Sequence, residues 1–179
     1  MSRITAIDPD KASDETRKLF DSAKKKMGGV PNVLRVMGNS QAALKSYLTL
    51  GEILDNTAFD TEEREAIALT VAAANGCNYC ASAHTAISKD LKVSEQEIES
   101  RLQARADDSR LQGTLQFARA VVDKRGWVTD EDLKQASDAG LDEGEIMDVV
   151  AIVILNMLTN YTNHVADTDI DFPQVSVKH

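Results

Sequence analysis

Asp60-Thr61-Glu62-Glu63-Arg64-Glu65 opens a run, Ala66-Ile67-Ala68-Leu69-Thr70-Val71-Ala72-Ala73-Ala74, that is apolar on every side, and Asn75-Gly76 interrupts it. The start is helical, because Asp60 suits an N-cap and the acids after it suit the positive end of the helix dipole. A helix without a polar face has to be covered by other elements all round. The chain is therefore expected to build a helical bundle around this segment.

The remaining pattern agrees with an all-α fold. Ser13 is an N-cap candidate for a helix over 14–27, with Leu19, Phe20 and Ala23 on one side and Gly28-Gly29 as its stop. Val30-Pro31-Asn32 opens a short helix through Met37, and Ser40 caps a third with an apolar stripe of Leu44, Tyr47, Leu48 and the segment from Leu50 to Leu54. A new helix is expected from Cys77 through Ile87. Others follow: one capped by Ser94 with Glu97 in capping-box position, one from Asp107 or Asp108 to Lys124, and one from Thr129 to Ala139. The run Val149–Leu155 has the composition of a buried strand, yet nothing breaks the chain from Glu145 to His164 and no partner strand exists. A helix from Asp142 to about Val165 is the better reading, with an extended tail after Ala166.

At 179 residues, 42% hydrophobic and 27% charged, one domain over 1–179 is expected. It divides into an N-terminal helical part (1–58), a central pair of helices (59–90) and a C-terminal set (91–179). A net charge of −9 argues against nucleic acid as a partner, since phosphates call for a basic face. No apolar run reaches the roughly 18–20 residues of a membrane span, and the N-terminus lacks the apolar core of a signal peptide. A cytoplasmic setting without a membrane is the expectation. The all-round apolar helices exceed what one small bundle needs, which fits a homo-oligomer. A faint internal repeat pairs Glu65…His84 with Glu145…His164 at the same spacing, with Met157 and Asn160 in the cysteine positions, so a duplication is conceivable from the sequence.

The chemistry lies in Gly76-Cys77-Asn78-Tyr79-Cys80-Ala81-Ser82-Ala83-His84, which holds both cysteines of the chain. Residues three and four apart on a helix share a face, with Cβ atoms about 5–6 Å apart. Cys77 neighbours Cys80, and Cys80 neighbours His84. A helix start favours a thiolate, and the imidazole can take a thiol proton. In a reducing compartment such a pair is catalytic or metal-binding more often than a structural staple. Zinc is a rival reading with His84 as a third ligand, but structural zinc wants four. An inert buried pair is another. His164 reads as a core or interface histidine, Trp127 as the anchor of its turn, Lys24-Lys25-Lys26 as a solvated face, and Tyr79 as lining or packing.

Arg64-Glu65-Ala66-Ile67-Ala68-Leu69, then Asn75-Gly76-Cys77-Asn78-Tyr79-Cys80 with Ala83-His84, resembles the AhpD-like branch of the carboxymuconolactone decarboxylase family. Val30-Pro31-Asn32 and Asp169-Ile170-Asp171-Phe172-Pro173 resemble its peroxidase-related subgroup. The resemblance implies an all-α AhpD-like bundle, assembly into a trimer or hexamer, and alkylhydroperoxidase or thiol–disulfide chemistry. It also implies a proton relay of Glu65, Cys77, Cys80 and His84. Adjacency to His84 makes Cys80 the expected attacking thiol, with the reverse order of the two cysteines as the alternative. Alkylhydroperoxidase D carries a histidine before the second cysteine, where this chain has Tyr79. The implied substrate is a small peroxide or disulfide, the implied partner an external dithiol or protein reductant. No cofactor is implied beyond a redox-active disulfide between Cys77 and Cys80, and no metal. The rivals are a decarboxylase-type lyase and a non-enzymatic thiol redox sensor.

Overall fold

The computed structural model describes residues 2–177, and every regular element among them is a helix. A 3-10 turn, Pro9–Lys11, precedes α1 (Asp14–Met27), α2 (Asn32–Met37) and α3 (Gln41–Leu54). Then come α4 (Thr61–Ala74), α5 (Asn78–Asp90), α6 (Glu95–Leu102), α7 (Ser109–Asp123), α8 (Asp130–Asp138) and α9 (Glu143–Ala166).

The caps explain the boundaries. Ser13, Ser40, Asp60, Ser94, Asp108, Thr129 and Asp142 each accept a hydrogen bond from the backbone N–H three residues on. Each satisfies one donor that a helix start leaves without a partner. At Asp60 the exchange is reciprocal, with Glu63 accepting from the Asp60 N–H at 2.9 Å.

α4 ends where the sequence reading put the interruption, and the ending positions the cysteines. Gly76 takes φ = +64°. Its N–H reaches the Ala73 carbonyl (3.1 Å) and the Cys77 N–H reaches Ala72 (2.9 Å). This is the Schellman arrangement, and glycine adopts the required left-handed conformation without steric cost. The chain leaves α4 with Cys77 at the head of α5.

As the missing polar face requires, Ala66 to Ala72 of α4 are all buried, and α4 packs on α5, α6, α7 and α9. One side of it joins a core with Leu115, Val149, Ile152 and Val153. On its other side Ala72 meets Phe20, Leu34 and Leu44 from α1–α3, together with Cys77, Tyr79 and Cys80. Each large aliphatic side chain buried this way contributes about 1.5–3 kcal/mol. The cysteines thus belong to a core cluster, not to the surface.

After Ala166 the chain runs extended across α2 and α5. Asn32 donates through its side chain to the Asp169 carbonyl (3.0 Å) and through its backbone to Asp171 Oδ2 (2.9 Å). Val175 N–H donates to Ser82 Oγ (2.8 Å).

Four sequence expectations are corrected. Glu65 and His84 meet because the break at Gly76 turns α5 back along α4. Glu145 and His164 lie on one continuous helix, about 28 Å apart at 1.5 Å per residue, so the internal repeat has no structural counterpart. Trp127 is 86% exposed and anchors nothing among the described residues, and His164 is exposed, which sets aside the core half of its core-or-interface reading. Lastly, α9 is long and apolar enough for a membrane span by length and composition. It packs on α2, α3, α4, α5 and α7, as the central helix of a bundle does.

Candidate active site

Cys77 is the N-cap of α5: its sulfur accepts from the Cys80 N–H at 3.3 Å, the role that a serine, threonine or aspartate oxygen fills at seven other helix starts. Both thiols are free and buried. One turn on, His84 turns its Nδ1 to Glu65 Oε2 at 2.7 Å. A carboxylate can only accept, so Nδ1 carries the proton and Nε2 is the nitrogen left for other chemistry. The helix break therefore brings all four predicted residues into one region, Glu65 from α4 and the rest from the first two turns of α5.

A cavity of about 470 Å³ opens on this region. Tyr47, Glu65, Cys80, His84, Asn163 and Phe172 contribute to its wall, and Cys77 does not. The rest is mostly apolar, with Val33, Leu48, Ile152 and Leu155 among the lining residues. Cys80 is thus the sulfur that faces the cavity, with Cys77 behind it.

The acidities of the two thiols are shifted in opposite directions. The Cys77 thiol is lowered, first by the hydrogen bond from the Cys80 thiol; burial opposes this, and the Cys80 N–H, Asn163 and His84 reinforce it. Burial pushes Cys80 well up, and the neighbouring Cys77 adds to that. The first proton to leave the pair comes from Cys77, with Cys80 donating to the resulting anion. Burial of His84 would lower its pKa, but the charge of Glu65 and its hydrogen bond outweigh burial and raise it. Burial, then Glu65 and Cys80, push the Tyr47 phenol up, so it stays a protonated donor in the cavity wall.

Several groups here were not singled out from the sequence. Asn163 Nδ2 of α9 donates to Cys80 Sγ at 3.2 Å, and Thr159, one turn earlier, donates its hydroxyl to the Asn156 carbonyl (2.9 Å) and lines the same cavity. With Asn156 they form a polar row that lines the cavity along the most apolar helix of the chain. Amides recurring at helical spacing within so apolar a segment were the available cue. Tyr79 packs between the cysteines and the tail. Its hydroxyl accepts from the Val33 N–H (3.1 Å) and donates to Asp171 Oδ1 (2.6 Å), and Phe172 stands edge-on to its ring. Among the described residues, no three His, Cys, Asp or Glu side chains converge as metal ligands.

Residues 41–124, which hold Glu65, Cys77, Cys80 and His84, match the model of the carboxymuconolactone decarboxylase family. The fold is that of the AhpD core. A peroxidase-related protein from Ralstonia eutropha JMP134 with an alkylhydroperoxidase AhpD core superposes with a TM-score of 0.84 at 23% identity, covering 95% of this chain and 92% of that one. A peroxidase-related protein from Silicibacter sp. TM1040 gives a TM-score of 0.78 at 27% identity over 92% and 91% of the two chains. The debrominase Bmp8, as a cysteine-to-alanine variant in complex with 2,3,4-tribromopyrrole, gives 0.76 at 20% identity over 88% and 86%. Among curated proteins no significant relative was found.

Proposed function

We propose that the protein is a cysteine-based peroxidase that reduces organic hydroperoxides at Cys80 and is recycled by an external dithiol. The observation that carries this reading is the division of labour between the sulfurs. Cys80 faces a mostly apolar cavity that Glu65 and His84 also line, and the more acidic Cys77 lies behind it at the helix cap.

The chemistry follows from that placement. Cys80 passes its proton to the Cys77 thiolate as its sulfur attacks the terminal oxygen of R–O–O–H. An S–O bond forms, the O–O bond breaks, and the departing alkoxide takes a proton from the His84 imidazolium. Sulfur is oxidised by two electrons to a sulfenic acid, and the peroxide becomes an alcohol. His84, now neutral, takes the Cys77 proton. Cys77 then displaces hydroxide from Cys80, the hydroxide leaves as water with that proton, and the Cys77–Cys80 disulfide remains. A dithiol attacks the Cys80 sulfur from the cavity and Cys77 departs as the thiolate. The lower pKa of Cys77 suits it to leave, since thiols of lower pKa leave faster.

A steady-state peroxidase assay with tert-butyl hydroperoxide and a dithiol tests the reading. Wild type turns over many times and Cys80→Ser does not. After peroxide, Cys77→Ser carries an oxidised Cys80 by mass spectrometry. Stoichiometric oxidation of wild type without turnover would favour a redox sensor instead. Because a protein of like fold is a debrominase, bromide release from tribromopyrrole is the control for a different electrophile at the same sulfur.

A further inference from the structure

Asn163 carries two polar atoms in a place where both have to be accounted for. It is 5% exposed and lines the cavity beside Cys80. Its Nδ2 donates to Cys80 Sγ at 3.2 Å. An amide N–H donates and the sulfur accepts, so Nδ2 is the end of the amide that faces Cys80. The other end, Oδ1, is buried with no protein hydrogen-bond partner among the described residues. A buried acceptor left unmet costs free energy, and such a group at a cavity wall calls for a donor from whatever fills the cavity.

The reacting atom of a hydroperoxide brings such a donor. The oxygen that the sulfur attacks carries the O–H, and that hydrogen stays on it through the reaction as the S–O–H of the sulfenic acid. A disulfide has no hydrogen on the atom attacked. We propose that Asn163 is a substrate-binding residue of this site: its Nδ2–H holds the Cys80 sulfur while Oδ1 accepts the O–H of the hydroperoxide, setting the terminal oxygen against that sulfur. This assignment rests on the peroxidase reading and adds to it a chemical criterion for substrates, a hydrogen-bond donor on the attacked atom. Nothing is transferred to or from Asn163; the S–O bond forms and the O–O bond breaks as above.

The test compares two oxidants on the reduced full-length protein in single-turnover mixing: tert-butyl hydroperoxide, which has the donor, and a dipyridyl disulfide, which lacks it. Asn163→Ala is expected to slow the hydroperoxide reaction roughly 10- to 100-fold more than the disulfide reaction, the loss that goes with one unmet buried hydrogen bond. Asn163→Asp keeps an oxygen acceptor and loses the N–H donor. It is expected to raise the thiol titration seen by thiolate absorbance, slow both oxidants, and keep the wild-type ratio between them. This variant also decides the matter should Asn163→Ala fail to fold. Equal losses for both oxidants in Asn163→Ala, or an Asn163→Asp variant that loses the ratio, would overturn the assignment and leave the peroxidase reading intact. A wild type that reacts with the disulfide and not with the hydroperoxide overturns both.

Discussion

Glu65 Oε2 and His84 Nδ1 stand 2.7 Å apart across the break between α4 and α5, each side chain less than one-fifth exposed. The pair ties the two helices together, and Glu65 favours the charged form of the imidazole. Because the folded pKa of His84 is raised, its contribution to stability is complete below the unfolded value of about 6.5 and is lost as the pH rises through the folded value. The gap in melting temperature between wild type and Glu65→Gln should therefore be widest near pH 6 and shrink on the alkaline side. A gap that widens with rising pH contradicts this account of the pair.

The acidity of Cys77 depends first on the Cys80 thiol as a donor. Cys80→Ala removes that donor, so the Cys77 thiolate should appear at higher pH than the first thiolate of wild type. Cys80→Ser, which keeps a hydroxyl donor, should lie between the two. Absorbance of the thiolate against pH reads both, and an unchanged midpoint in Cys80→Ala means that the helix start and Asn163 suffice.

Tyr79→Phe strips the hydroxyl that joins Val33, α5 and Asp171. It leaves a buried N–H unmet and frees the tail, so a loss of about 1–3 kcal/mol is expected from denaturant unfolding. Protease should also cut within residues 168–177 faster than in wild type. Loss of stability without faster cleavage would mean that the tail is held by Phe172 and the Ser82 contacts alone.

α7 and α8 touch at Gly113. A Cβ built there lies 2.2 Å from the Ala139 Cβ. Gly113→Ala should cost about 1–3 kcal/mol as overpacking, and adding Ala139→Gly should recover part of it. Thermal melts of the single and double variants check this. A neutral single variant would show that α8 shifts freely.

Much of this fold can be read from side chains that act on their own backbone. Ser13, Ser40, Asp60, Ser94 and Asp142 cap the helices they precede, and Asn75-Gly76 turns the chain, because these effects reach only three or four residues. Glu65, Cys77, Cys80 and His84 were reachable through a family resemblance that quotes their spacing. Asn163 was not, since it meets Cys80 across 83 positions by the packing of α9 on α5, and helical period says which face is buried without saying against what. Glu145 and His164 show the converse error: equal spacing has equal meaning only if the chain between bends alike. Trp127 misled because size predicts burial only where a surface is available to cover it.

At the head of α5 a sulfur stands where other helices of this protein place oxygen. A thiolate is a far better acceptor for the Cys80 N–H than a sulfur already bonded to its neighbour, so the helix start is steadier when the pair is reduced. Whatever favours the reduced form over the disulfide makes the couple a stronger oxidant. In the redox cycle proposed above, the first turn of α5 thereby draws electrons towards the pair and favours its reduced form.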